Sequence, residues 1–206
     1  MSSVYRSILQ RRTIRSFKSK KIPRSILRKL VNAGRLAPSA ANLQPLEFLV
    51  VDKKKLSQSI FPFLNWAGYI SPYGTPPQHK RPVSYILILV NKRKENPQYS
   101  PYDVGAAVEN IILTAWELGI GVCWIKSMQK EKISSLFNLP DYLNLDSVLA
   151  LGYRDEMPRL EVLKDSVKYW KDKFGRLHVP KRKLSEVLHI NRMERGESDF
   201  YFLTER

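Results

Sequence analysis

The sequence predicts an α+β protein, in which strands and helices both contribute to one core. Three apolar runs at 46–51, 83–90 and 147–153 are rich in β-branched or aromatic residues, as strands are. Two longer segments, 25–36 and 101–118, place apolar residues at helical spacing. Because neither kind of element dominates, we expect a mixed fold and not a bundle or a sandwich.

The bulk properties predict one globular domain over residues 1–206. The chain is long enough to bury a core, and 43% of its residues are apolar. The N-terminus does not resemble a signal peptide, and no apolar run approaches the ~20 residues that span a bilayer. The single cysteine, Cys123, excludes an internal disulfide and fits a reducing compartment. We therefore expect a cytoplasmic protein with no membrane partner.

The charge is strongly basic: 35 lysines and arginines against 19 acidic residues give a formal net charge of +16. Such an excess is typical of nucleic-acid-binding proteins. The basic residues are scattered, however, and no helix-turn-helix, zinc-finger or aromatic RNA-binding motif accompanies them. A solvated basic surface or a cleft for an anionic cofactor explains the charge as well. We do not expect a nucleic-acid partner, although charge alone leaves the question open.

A predicted first helix at 3–10 leads into the cluster R-R-T-I-R at 11–15. Arg11 and Arg15 are four residues apart and would share a face if helical geometry continued. Guanidinium groups bind phosphate oxygens in a forked geometry. The cluster is therefore a candidate phosphate site, although a solvated basic turn is the commoner role of such a pattern.

The helix at 25–36 is followed by a turn of small residues and then by the strand at 46–51. Pro38 disfavours helical geometry at the residue before it and so ends the helix. Small residues let a flat ligand approach the backbone, while Asn42 and Gln44 offer amide donors and acceptors to its edge. The alternative is an ordinary connection between a helix and a strand.

Residues 56–82 are predicted to be irregular, because they contain five prolines among several aromatic residues. A long segment of this kind is either a binding loop or lid over a site, or a packed surface cover for the core. Both alternatives remain open from the sequence.

The segment from Ser100 to Asp103 predicts the start of the longest helix, with Ser100 as the N-cap and proline at the first helical position. Most of this helix is apolar around its girth. Its polar residues fall largely on one stripe, which comprises Asp103, Asn110, Thr114 and Glu117. A helix of this type is buried on several sides, either at the centre of a domain or in a dimer interface.

Weaker patterns cover the rest of the chain. They predict a strand at 120–125, a helix at 131–137, a hairpin of 168–171 with 176–179, a short helix at 181–188 and a C-terminal tail at 190–206.

Several kinds of site are absent from the sequence. The three histidines have no neighbours at metal-ligand spacing, so we expect no metal site. No nucleophile elbow, phosphate-binding Walker loop or dinucleotide-binding glycine motif occurs. The chain therefore offers no self-contained acid, base or nucleophile set, as expected where a cofactor carries the chemistry.

Four segments resemble the nitroreductase family of flavin enzymes and follow the family's order. They are R-R-T-I-R-S-F at 11–17, R-L-A-P-S-A-A-N-L-Q-P at 35–45, D-V-G-A-A-V-E-N-I-I-L-T-A-W-E-L-G-I-G-V-C-W at 103–124 and V-L-A-L-G-Y at 148–153. The resemblance implies a nitroreductase-like fold, with a central, mostly antiparallel sheet flanked by helices. It also implies an intertwined homodimer with the helix 101–118 at its interface.

The same resemblance implies noncovalently bound FMN, NAD(P)H as the reductant and a ping-pong reaction with an electron-poor acceptor such as a nitroaromatic or a quinone. No side chain is expected to be catalytic. Arg11, Arg12, Thr13 and Arg15 match the positions that bind the ribityl phosphate and the pyrimidine side of FMN. The ring, its N5 edge and the phosphate would be reached by Pro38, Ser39, Ala40, Asn42, Gln44, Ile125, Lys126 and Arg182, some of them from the partner subunit.

Two features depart from the family pattern. Where relatives commonly have glycine after the strand at 120–125, this chain has lysine, so the side chain of Lys126 must turn away from the flavin or alter its pocket. The region from residue 154 onward matches the pattern poorly, and Arg182 is included only for its place near the C-terminus.

Two other functions remain compatible with the sequence. One is a specialised relative that shares the fold and the cofactor and acts in dehalogenation, dehydrogenation or flavin destruction. The other is a basic nucleic-acid-binding protein on a former enzyme scaffold.

Overall fold

The computed structural model describes residues 3–193 and confirms the α+β fold. The helices are Ser3–Gln10 (α1), Arg24–Arg35 (α2), Lys54–Ile60 (α3), Ser100–Glu117 (α4) and Lys130–Leu136 (α5). The strands are Phe17–Lys18 (β1), Leu46–Val51 (β2), Ser84–Asn91 (β3), Ile120–Ile125 (β4), Leu143–Arg154 (β5), Arg159–Val162 (β6), Trp170–Lys171 (β7) and Leu177–Lys181 (β8). Short 3-10 turns lie at Ala40–Asn42, Phe61–Phe63, Gly68–Ile70, Gln78–Lys80 and Leu184–Glu186.

The central sheet is antiparallel at every pairing, as the resemblance predicted. The long strand β5 pairs with β3 and β4, and its end also pairs with β1. The strand β2 pairs with the other side of β3. All residues of β3 are buried, which agrees with its unbroken apolar run and its position inside the sheet.

The core lies on both faces of this sheet, because successive strand residues point to opposite sides. Ile86 and Ile88 of β3 pack in the layer that contains α2 and α4. Tyr85 and Leu87 pack in the other layer, with residues of α3 and α5. Among residues 3–193 no helix combines the length and the apolarity that crossing a bilayer requires.

The predicted start of α4 is wrong in detail. Ser100 is the first helical residue, and the N-cap position belongs to Tyr99, which makes no capping hydrogen bond with its side chain. The Ser100 hydroxyl instead contacts Glu95 Oε2 at 2.6 Å and the carbonyl oxygen of Asn96 at 3.0 Å. The loop before the helix, which brings Glu95 to this hydroxyl, was not foreseen.

Three further expectations need correction. Segment 56–82 is not irregular throughout, because α3 extends to Ile60 and three short 3-10 turns follow. The predicted helix at 181–188 is reduced to one 3-10 turn, since Lys181 still belongs to β8. Arg11 and Arg15 do not share a helical face, because α1 ends at Gln10.

A second, smaller sheet is formed by β6, β8 and β7 in that order, and we call it the C-terminal sheet. The antiparallel pair of β7 and β8 confirms the predicted hairpin, whose turn contains Gly175 at φ 75°. His178 of β8 is 6% exposed and stacks on Trp170 with ring centroids 4.2 Å apart. The predicted tail at 190–206 lies outside the described residues from position 194 onward.

Segment 11–15 lies against β4 at a place where only glycine fits. The backbone N–H of Ile14 donates to the carbonyl oxygen of Val122 at 3.0 Å, and the Ile14 side chain is fully buried. A Cβ atom added at Gly121 would lie 2.7 Å from Cβ of Ile14. The neighbour is therefore not a flexible side-chain end that could move aside.

We expect Gly121→Ala to destabilise the protein by about 1–3 kcal/mol, the usual cost of overpacking a core. Gly68→Ala is the matched control, because a Cβ added there meets nothing within 4 Å. Chemical denaturation measures both free energies of unfolding. Equal values for the two variants would show that segment 11–15 is not packed against β4 as described.

Candidate functional site

The arginine cluster is held in part by hydrogen bonds from its backbone, which do not use the side chains. Glu156 Oε1 accepts a short hydrogen bond from the backbone N–H of Arg15 and another, of 3.0 Å, from that of Ser16. The Thr13 hydroxyl makes no hydrogen bond to any described residue. Glu156, just beyond β5, was not foreseen as part of this site.

The three arginines have different surroundings. Arg11 Nε donates to Glu109 Oε1 of α4 at 2.8 Å. Arg12 makes a short hydrogen bond from Nη1 to the carbonyl oxygen of Arg11, and Arg15 lies over the ring of Tyr169 at 5.0 Å from its centroid. The Nε atoms of Arg12 and Arg15 are both buried without a hydrogen-bond partner among residues 3–193.

Arg12 and Arg15 line different cavities. A cavity of about 550 Å³ contains Arg12 together with residues of α1, Trp116 and Arg154. A second cavity of about 240 Å³ contains Arg15, part of segment 56–82 and part of the C-terminal sheet. Burial and the neighbouring Arg11 lower the pKa of the Arg12 guanidinium. An anionic group beside Arg12 would offset both effects.

The loop between α2 and β2 has an unusual backbone conformation. Ala41, Asn42 and Gln44 have φ values of 48°, 55° and 50°, in the left-handed region that non-glycine residues rarely adopt. Strain of this kind is concentrated at binding and catalytic sites. The backbone N–H of Gln44 donates to Ser39 Oγ at 3.0 Å, which closes the turn.

This loop is fixed to α4 by a buried carboxylate. Asp103 is 5% exposed, and its Oδ1 accepts a hydrogen bond of 2.9 Å from the backbone N–H of Ala40. Asn110 Nδ2, further along the same stripe, donates to the carbonyl oxygen of Ala33 at 3.2 Å. Part of the predicted polar stripe thus faces α2 and the loop that follows it. A third cavity, of about 140 Å³, lies here and is lined in part by Pro38, Ser39 and Gln44.

One chain does not bring the arginine cluster and this loop together. Both are attached to α4, the cluster through Glu109 and the loop through Asp103. Six residues advance a helix by about 9 Å and turn it by about one and two-thirds revolutions, which leaves the two positions about 120° apart. The two attachments therefore lie on different sides of α4, and the two groups line separate cavities.

The remaining predicted residues lie at the edges of this arrangement. Ile125 ends β4 and is buried, whereas Lys126 extends to β5, where its Nζ pairs with Asp146 Oδ1 at 3.0 Å. Arg182 follows β8 and is engaged locally: its Nη2 donates to the carbonyl oxygen of Glu186 at 2.5 Å. Within residues 3–193 no three His, Cys, Asp or Glu side chains form a group that could hold a metal ion.

Cys123 lies behind the arginine cluster as a buried thiol. Burial raises its pKa to about 11, although the nearby Arg15 acts in the opposite direction. A thiol that is neutral at physiological pH is a weak nucleophile. The side chain is therefore part of the core and not a reactive group.

Segment 56–82 is joined to the chain that follows β4. The backbone N–H of Asn65 donates to the carbonyl oxygen of Ser127 at 3.0 Å. Trp66 is 6% exposed and stacks on Phe61 with centroids 5.4 Å apart, so this aromatic residue is part of the core. Tyr69 and Tyr73 are exposed and are the aromatic residues of the segment that a ligand could reach.

The chain is similar to known proteins over most of its length. The sequence model of the Nitroreductase family matches residues 8–71 and 78–153. A candidate NADH dehydrogenase/NAD(P)H nitroreductase of Methanothermobacter thermautotrophicus is 29% identical over 159 residues, which are 75% of this chain and 79% of that protein. A protein of the same name from Archaeoglobus fulgidus is 29% identical over 163 residues, 76% of this chain and 88% of its own.

Solved structures agree with the fold. The crystal structure of a candidate nitroreductase from Desulfovibrio desulfuricans, in complex with FMN, superposes with a TM-score of 0.70 over 94% of this chain and 99% of that chain, at 22% identity. A candidate NADH oxidase from Clostridium acetobutylicum gives a TM-score of 0.64 at 26% identity, over 91% of this chain and 99% of its own. Because the family model covers most of the sequence and these structures share its fold, the chain belongs to the nitroreductase family.

Proposed function

We propose that this protein is an FMN-dependent oxidoreductase that passes electrons from NAD(P)H to an electron-poor acceptor such as a nitroaromatic or a quinone. The observation that carries the proposal is the buried Nε of Arg15, which has no hydrogen-bond partner among the described residues. A buried donor without a partner is costly, and an acceptor atom of a bound ligand would satisfy it. The names of the relatives from Methanothermobacter and Archaeoglobus supply the class of reaction.

The residues present fit FMN. Arg11, Arg12, Thr13 and Arg15 offer cations and a hydroxyl for the phosphate and the pyrimidine side of the cofactor, and Thr13 has no competing partner in the described chain. The loop from Pro38 to Gln44 offers small side chains and a strained, open backbone for the flat ring. Arg182 would have to leave Glu186 in order to reach the phosphate.

FMN, when bound, would supply the redox chemistry of a ping-pong reaction between NAD(P)H and the acceptor. The chain has to bind, orient and shield the ring. Arg15 would place a cation beside it, and Glu156 would hold Arg15 through the backbone. Lys126, paired with Asp146, would leave its backbone N–H for the N5 edge.

The separation of the arginine cluster from the 38–44 loop supports a site built from two subunits. In a two-fold dimer, the loop of one subunit can face the cluster of the other. Leu113 and Ile112 of α4 are only half-buried in one chain, which leaves apolar surface for a partner. Ile111 is fully buried within its own subunit against α2 and is not available to a partner.

The direct test of the function is the colour of the purified protein. We expect a yellow protein that releases FMN on denaturation and whose visible absorbance is bleached by NADH or NADPH without oxygen. A colourless protein that does not take up added FMN would rule out the proposed function.

We expect Arg15→Ala to weaken FMN retention about tenfold or more, because a partly desolvated charged contact contributes ~1.5–3 kcal/mol. The flavin-to-protein ratio after extensive dialysis measures the loss. Arg28→Ala is the matched control, since it removes the same charge from an exposed position on α2. If both variants retain FMN equally well, Arg15 does not contact the cofactor.

We expect Tyr69→Ala to change relative rates between acceptors while the FMN content stays near that of the unmutated protein. Tyr69 is 59% exposed, and its ring lies 5.0 Å from that of Tyr169. Phe174→Ala removes an even more exposed aromatic residue from the turn between β7 and β8 and serves as control. Loss of FMN with unchanged acceptor preference would make segment 56–82 a wall of the cofactor site.

We expect Leu113→Glu to give a protein that is monomeric or aggregated and also lacks FMN, because a buried charge would oppose the apolar interface. Leu56→Glu, on the opposite face of the sheet, controls for the substitution itself. Light scattering and flavin absorbance of the same sample measure both properties. A soluble monomer with one FMN per chain would contradict the shared site.

A further inference from the structure

The cavity beside Arg15 is closed by three parts of the chain that are distant in sequence. Its volume is about 240 Å³. Arg15 and Glu156 form one side, Tyr73 and Lys80 of segment 56–82 form the second, and Lys171 with Leu177 of the C-terminal sheet forms the third. Sites for drug-sized ligands have volumes of about 300 Å³ or more, so this cavity suits a ligand with a single ring.

The third side comes from a region outside the family match, which ends at residue 153. The C-terminal sheet nevertheless has a defined arrangement. His178 is nearly buried between Glu161, at a short distance, and Asp172, whose Oδ2 lies 3.2 Å from Nε2. The two carboxylates raise the pKa of His178, and the charged form ties β6 and the turn after β7 to β8.

The C-terminal sheet is closed onto segment 56–82 by direct contacts. Lys171 Nζ donates to the carbonyl oxygen of Tyr73 at 3.0 Å. The rings of Tyr69 and Tyr169 lie 5.0 Å apart, and Tyr169 also stacks on Arg15. The sheet therefore forms a wall of the cavity and positions one of its cations.

Two cations of the cavity have no acidic partner. Glu156 accepts hydrogen bonds from two backbone N–H groups, and Lys80 is paired with Asp155. No described carboxylate forms an ion pair with Arg15 or with Lys171, which both line the cavity. Because the proposed function assigns Arg15 to the cofactor, Lys171 is the cation that remains for an anionic acceptor.

The rest of the lining includes Ser16, Thr75 and His79 together with an apolar part that contains rigid residues. Ile70, Pro76, Pro77 and Leu177 contribute to it. Side chains of this kind pack against a flat ring without forming hydrogen bonds to it. The combination of apolar walls with unmatched cations selects a ligand that is both aromatic and negatively charged.

We infer that this cavity is the acceptor subsite, and that it favours single-ring aromatic acceptors that carry a carboxylate, with Lys171 as the recognising cation. The inference rests on the proposed function for the reaction, but the binding preference is a property of the cavity itself. It assigns to the C-terminal sheet a role in choosing the substrate. A phosphate group of NAD(P)H is negatively charged like the carboxylate of such an acceptor. The experiment distinguishes binding of the reductant from binding of the acceptor.

The test compares 4-nitrobenzoate with the neutral 4-nitrobenzyl alcohol as acceptors for the flavin-loaded protein. We expect Lys171→Gln to lower the ratio of their kcat/KM values about fivefold, the upper range for an exposed charge pair. Lys173→Gln, in the turn after β7, removes an equal charge outside the cavity and should leave the ratio unchanged. An unchanged ratio in Lys171→Gln overturns the inference, as does a rise in the KM for NAD(P)H without a change in the ratio.

A second measurement does not depend on electron transfer. Equilibrium dialysis compares the binding of benzoate and benzyl alcohol to the unmutated protein and to Lys171→Gln. We expect the unmutated protein to bind benzoate in preference to benzyl alcohol. In the variant this preference should fall about fivefold, whether or not the protein transfers electrons to nitroaromatics. Preferential benzoate binding by a protein without flavin would reject the proposed function and leave the anion site standing. A flavoprotein that binds both compounds equally would reject the anion site alone.

Discussion

The close approach of Ile14 to Gly121 is the contact on which the candidate site depends. It lets segment 11–15 lie along the edge of β4 that β5 does not occupy, with a backbone hydrogen bond to Val122. Glu156 holds the end of the segment through two further backbone N–H groups. Since these bonds use the backbone, the guanidinium group of Arg15 is not needed to hold the segment, which explains how its Nε can be buried with no partner in the described chain.

The helix α4 positions the other part of the candidate site, the 38–44 loop. Its apolar residues pack on the sheet, while Asp103 holds the 38–44 loop and Glu109 holds Arg11. Both carboxylates belong to the same helix, so their separation is fixed by helical geometry and not by the loops. A subunit that folds correctly therefore presents both halves at set places, although not facing each other. Asp103 of the polar stripe is what fixes the loop.

The sequence predicted the elements whose cause is local. The buried strand β3 follows from an unbroken apolar run, and the hairpin around Gly175 follows from its turn residues. Features decided by distant neighbours were missed. Ser100 looked like a helix cap, yet Glu95 engages its hydroxyl. Segment 56–82 left a lid and a packed cover open, and the stacking of Trp66 on Phe61 places that residue in the core. For the site, the chain's motifs indicated both the arginine cluster and the loop, and their roles toward FMN stay predictions. Composition contains no information on which side of α4 each of them lies.

The division between the matched and the unmatched parts of the chain has a physical meaning. The matched part, up to residue 153, contains the central sheet, α4 and the contacts of Ile14. At those contacts even one added methyl group would clash with closely packed atoms. The C-terminal sheet and the residue before β7 contact that frame through side chains that are exposed or half-buried, Lys171 and Tyr169. Under the proposed roles, a substitution at Lys171 would change what enters the cavity beside Arg15, whereas one at Tyr169 would also change the packing of Arg15 itself. If the proposed roles are right, a change at Lys171 would alter the preference among acceptors while the redox chemistry is kept, because its contact with Tyr73 is separate from the backbone contacts that hold Arg15.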